Sequence, residues 1–164
     1  IKVGDAVTVL PSLTESKVTN IHFFDQQFDE ATAGSSITLE LENDINVTRG
    51  DMIVKSNELP KIEKDINTTI CWMDSKKLVP GTKYLVQHNT NRVLAKIESV
   101  KNVIATDYSG VTPATQLNIN EIGEVNIKLS KALYFDTYND NKSNGAFILI
   151  DAATNTTAGV GFIN

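Results

Sequence analysis

The stretch Val3-Gly4-Asp5-Ala6-Val7-Thr8-Val9-Leu10-Pro11 decides how this chain is read. A Gly-Asp turn feeds a short apolar run, and a proline stops it. The unit returns at Arg49-Gly50-Asp51-Met52-Ile53-Val54. It returns more loosely at Val79-Pro80-Gly81-Thr82-Lys83-Tyr84-Leu85-Val86. Between these units the apolar residues keep a period of two, cleanest in Ile37-Thr38-Leu39-Glu40-Leu41-Glu42. No segment of ten residues carries the helical period. Strands broken by turn signals at this spacing predict an all-β chain of barrels or sandwiches rather than a parallel sheet with crossover helices.

Working outward, Lys17 to Phe24 predicts a strand with Val18, Asn20, His22 and Phe24 on one face and Ile21 and Phe23 on the other. Ser56 to Lys64 holds Pro60 and many charges, which marks a linker. Strands are predicted after it at Ile66–Met73, Tyr84–His88, Arg92–Ile104, Leu117–Asn120, Glu124–Ser130, Gly145–Asp151 and Thr156–Ile163. Loops are predicted at Tyr108–Pro113 and Tyr138–Asn144. The fold expected is two antiparallel β-barrels, residues 1–59 and 64–164. The first opens in mid-pattern at Ile1-Lys2, so it is expected to be partial, with strands preceding Ile1. That leaves an open edge at Ile1–Leu10, poised to pair with another chain or a second copy.

Composition narrows the function classes. The 164 residues carry a net charge of −5. Residues 1–60 hold four Lys/Arg against ten Asp/Glu, and the remainder eleven against ten. Arg49 and Arg92 are the two arginines, and no basic cluster of the kind that tracks a phosphate backbone occurs in the sequence. No apolar run approaches the ~18 residues that cross a bilayer as a helix. Gly81-Thr82-Lys83 lacks the spacing of a phosphate-binding loop. His22, Cys71 and His88 stand singly, without metal-ligand spacing. Cys71 reads as a buried inert thiol, and Arg49-Gly50-Asp51 as a turn entering a strand. No catalytic, cofactor-binding or metal-ligating residue is predicted. His88, Arg92 and Lys142 are the candidates for a partner interface, with packing the other reading of His88.

Taken in order, Val3-Gly4-Asp5-Ala6-Val7, Ala33-Gly34-Ser35 and Arg49-Gly50-Asp51-Met52-Ile53 resemble the second domain of translation-factor GTPases such as elongation factor Tu. Trp72-Met73-Asp74, the run Leu78 to His88, Leu117 to Gly123 and Gly145 to Asp151 narrow the likeness to the GTPase (large) subunit of bacterial sulfate adenylyltransferase. The resemblance covers essentially the whole chain. It implies second and third domains of a cytoplasmic protein whose GTP and Mg²⁺ are held by another, N-terminal domain. It implies a small catalytic subunit as partner, making adenosine 5′-phosphosulfate from ATP and sulfate at the expense of GTP. On that reading this chain is a non-catalytic platform, inactive alone. Lys142-Ser143-Asn144-Gly145-Ala146 departs from the Arg-Ala-Thr-Gly-Ser-type stretch of that family: lysine keeps the charge and loses the planar fork. The rival readings are a translation-factor fragment contacting tRNA and a free-standing binding barrel.

Overall fold

The computed structural model describes residues 1–107 and 109–164; Tyr108, expected in a loop, lies outside the described residues. Among the described residues twelve strands run in chain order: β1 (Ala6–Leu10), β2 (Thr14–Phe23), β3 (Gln26–Phe28), β4 (Thr38–Leu41), β5 (Met52–Lys55), β6 (Lys61–Trp72), β7 (Lys83–His88), β8 (Asn91–Ile104), β9 (Val111–Pro113), β10 (Ile122–Phe135), β11 (Ala146–Ile150) and β12 (Thr157–Ile163). No helix occurs among the described residues. The chain forms two compact units, Ile1–Leu59 and Pro60–Asn164.

In the first unit β1 pairs with β2 on one side and with β5 on the other, while β2 also carries β3 and β4. The result is a curled, open sheet whose core is Val7, Val18 and Ile21, with Ile37, Leu39, Leu41 and Ile53 packed against it. The expected alternation along β2 breaks after Val18. The register with β4 shifts between Val18 and Asn20, and this bulge turns Ile21 to the same side as Val18. His22 therefore lies outside the core, its Nε2 2.9 Å from Glu40 Oε1.

The open edge is not where the sequence puts it. Val7 to Val9 are paired on both sides, with Ser16 to Thr14 of β2 and Lys55 to Ile53 of β5. Ile1 to Val3 bond to Asp29 and Ala31. Residues 7–10 are buried on both faces, as in an inner strand. β3 has one strand neighbour, and so do β4 and β5. A cleft of about 720 Å³ lined by Ile37, Leu39, Ile45, Val47 and Ile53 opens beside β4 and β5. The Arg49-Gly50-Asp51 tripeptide is a turn. Asp51 Oδ2 accepts from Thr48 N at 2.8 Å and Thr48 Oγ1 at 3.0 Å, and Gly50 takes a φ of 107° that favours glycine.

The second unit is a closed barrel. Its hydrogen-bonded order is β10-β6-β12-β11-β7-β8, and β8 returns to β10. Part of the expected linker belongs to it: Lys61 to Glu63 pair with Phe135 to Leu133, so β6 starts within the charged stretch. Strand alternation sends Ile66, Ile70 and Trp72, then Tyr84 and Val86, then Val93, Ala95 and Ile97 inward. Trp72 is fully buried, stacks edge-on against Tyr84 at 5.4 Å and donates Nε1–H to Lys76 O at 2.7 Å. Room for the large rings comes from β12. A Cβ on Gly161 would lie 2.1 Å from the Phe147 ring, its cross-strand partner.

Three local expectations fail in this unit. Leu117–Asn120 is not a strand: Leu117 makes a single bridge to Leu78, and Glu121 caps the turn by accepting from Asn118 N at 2.7 Å and Asn118 Nδ2 at 3.0 Å. Val111–Pro113, expected in a loop, pairs with β8 as β9. Cys71 lies half-buried between Ile70 and Trp72, both of which point into the core, so it is not a core thiol.

Candidate partner interface

The three residues singled out in the sequence belong to two segments that meet. The first is the β7–β8 hairpin. Gln87 pairs with Arg92 and His88 with Asn91, leaving Asn89-Thr90 as the tight turn, with Asn89 at φ 51°. The second is the loop between β10 and β11, which carries Lys142. It is held by its own side chains: Asp136 Oδ2 accepts from Asn141 Nδ2 at 2.9 Å and from Asn144 Nδ2 at 3.1 Å, and Thr137 Oγ1 donates to Asp140 at 2.6 Å. Tyr138 N donates to Ile163 O at 2.8 Å, and its ring packs on Phe162 at 4.6 Å. Gly145 follows so tightly that a Cβ there would lie 2.4 Å from Tyr138 Cα.

His88 joins the two segments. It is 2 % exposed, and its Nε2 lies 2.8 Å from Asn144 O. Asn89 Nδ2 donates to Asn144 Oδ1 at 3.0 Å beside it. The ring is thus a packing element, the second of the two readings the sequence left open, and its side chain is not on the surface. Arg92 and Lys142 are both exposed. Arg92 donates Nε–H to Gln87 Oε1 at 2.9 Å, which aligns the guanidinium along the hairpin. The arrangement displays cations on a rigid backbone. Among the described residues no group of three or more His, Cys, Asp or Glu is placed to hold a metal ion. No helix of the described residues is long and apolar enough to cross a membrane.

An open sheet followed by a closed six-stranded antiparallel barrel defines the class: the β-barrel domains of elongation-factor-type proteins. Residues 65–164 match the family described as GTP-eEF1A C-terminal domain-like, and the chain belongs to that family. The fold is shared with the crystal structure of Sup35 complexed with GDP, at a TM-score of 0.86 and 17% identity over 99% of this chain and 40% of that one. In sequence the chain is similar to sulfate adenylyltransferase subunit 1 of Psychromonas ingrahamii, 38% identical over 100% of this chain and 35% of that protein. It is likewise similar to the bifunctional enzyme CysN/CysC of Rhodopirellula baltica, 41% identical over 99% of this chain and 25% of that protein. The chain therefore spans a quarter to about a third of the length of these relatives.

Proposed function

We propose that this chain is the β-barrel portion of a sulfate adenylyltransferase large subunit. In such a subunit a separate domain binds GTP with Mg²⁺, and a small catalytic subunit forms adenosine 5′-phosphosulfate from ATP and sulfate in the cytoplasm. The chain itself acts as a non-catalytic platform for that partner. The observation that carries the reading is the 38% identity to a sulfate adenylyltransferase subunit 1 along the whole chain, without a gap in coverage at either unit. The charge balance supports it over a tRNA-binding role. The first unit is acidic, and the net charge of −5 opposes the phosphate backbone. An immobilised preparation of the chain should retain the small adenylyltransferase subunit and bind no fluorescent GTP analogue. Retention of tRNA, lost between 50 and 200 mM salt as roughly six or more phosphate contacts would require, together with no retention of the small subunit, would instead establish the translation-factor reading.

A further inference from the structure

The outer face of the closed barrel carries a row that the function proposed above does not use. Lys83 of β7 lies directly opposite Lys96 of β8, and Lys96 lies directly opposite Lys128 of β10. Three lysines thus stand side by side across three adjacent strands. Like charges placed opposite one another are unfavourable. The carboxylates next to the row are Glu98, which pairs with Lys96 at 3.0 Å, and Asp65, opposite Lys128. The neighbouring cross-strand row is apolar: Leu85 opposite Leu94, the latter 45 % exposed. The row after that is Gln87 opposite Arg92, which adds a fourth cation. Between β8 and β10 a shallow groove of about 220 Å³ runs along Leu94, Lys96, Lys128 and Ser130 and is almost wholly apolar in its lining.

We infer that this face of β7, β8 and β10 is a docking surface for an acidic protein segment that carries a large apolar side chain. The carboxylates of such a segment would answer Lys83, Lys96, Lys128 and Arg92. Its apolar side chain would cover Leu85 and Leu94 and enter the groove. This is the arrangement of a desolvated centre ringed by charges that set orientation and encounter rate. The centre of the patch is aliphatic and offers no ring on which a base could stack, which favours protein over single-stranded nucleic acid. The proposal holds for the barrel whatever the parent complex.

The test uses the whole chain and a fluorescein-labelled acidic peptide of twelve residues with a central Leu-Phe pair. Its counterparts are the same peptide with Ser-Ser at the centre and a twenty-nucleotide single-stranded RNA. Amide chemical shifts should move along Lys83–Gln87, Arg92–Lys96 and Lys128–Ser130. Neutralising the row with Lys83→Gln, Lys96→Gln and Lys128→Gln together should weaken binding about tenfold or more, and Leu94→Ser about fivefold. Lys101→Gln, which removes a lysine bonded to Asn67 instead, should leave affinity unchanged. All these side chains are exposed, and retention of the native amide spectrum separates lost binding from lost folding. Shifts confined to other strands, equal affinity for the Ser-Ser peptide, or tighter binding of the RNA would each overturn the proposal.

Discussion

At the scale of single residues, His88 shows most clearly what burial decides. Its alternation within Tyr84–His88 was visible in the sequence, and so was its place before a turn. The partner was not, because Asn144 is distant in the chain and its carbonyl is brought close only by the loop after β10. Replacing His88 with Ala removes a buried ring and leaves that carbonyl without its partner. The second unit should lose about 2–4 kcal/mol, whereas Arg92→Ala, on the surface, should change stability by less than about 0.5 kcal/mol. Chemical denaturation followed by the emission of Trp72, the one tryptophan of the chain, reads both. Glycines tell the same story. Nothing in Thr157–Ile163 announces that Gly161 faces the Phe147 ring, yet Gly161→Ala should destabilise the barrel by roughly 2 kcal/mol or more, since a core ring must move.

Carboxylates belong to this scale as well. Hydrogen bonds from the Asn118 backbone and side chain hold Glu121 below the usual carboxylate range. Those from Ala153 and Thr154, with Lys76 nearby, do the same for Asp151. A lowered carboxylate stabilises the fold at pH values above its unfolded value and loses that contribution as pH falls through its folded one. The melting temperature of the second unit should therefore hold from pH 7 to about 5 and fall below about pH 4. Glu121→Gln should start lower at pH 7 and show a shallower acid decline. An equally steep decline in that variant would assign the acid sensitivity to other groups.

Elements were legible where a strand buries one face and hidden where register intervenes. The alternation in β4 identified that strand directly, and the strands predicted at Tyr84–His88, Arg92–Ile104, Gly145–Asp151 and Thr156–Ile163 correspond to β7, β8, β11 and β12. The Val18–Asn20 bulge in β2 was not legible, because an extra residue leaves no signature in a polar stretch such as Thr19-Asn20. Lys61 to Glu63 read as a linker because they are exposed and charged, although they pair with β10 at its far end. The lysine row depends wholly on register, since its members are thirteen and thirty-two residues apart. It yields a stability prediction of its own. Lys83→Glu sets opposite charges across from each other at Lys96, and should raise the melting temperature by about 1–3 °C at low salt. That gain should shrink at 1 M salt, where the Debye length is about 3 Å.

For the molecule as a whole, the two units differ in how much apolar surface each closes away. The first buries Val7, Val9, Leu10, Val18 and Ile21 and has a cleft beside β4 and β5. The second has a continuous core built around Trp72, Ile97 and Leu149. Denaturant should unfold them in two steps, the first unit earlier. The far-UV signal would then begin to change before Trp72 emission does, whereas coincident curves would mean one cooperative body. We propose that this pair of units serves as the barrel portion of a sulfate adenylyltransferase large subunit. The most direct test exchanges the corresponding third of the Psychromonas ingrahamii subunit 1 for this chain. Adenosine 5′-phosphosulfate formation is then measured with that organism's small subunit, with and without GTP. The expected result is a complex whose synthesis is accelerated by GTP. A hybrid that folds and binds GTP, yet neither associates with the small subunit nor supports GTP-dependent synthesis, would contradict the proposal.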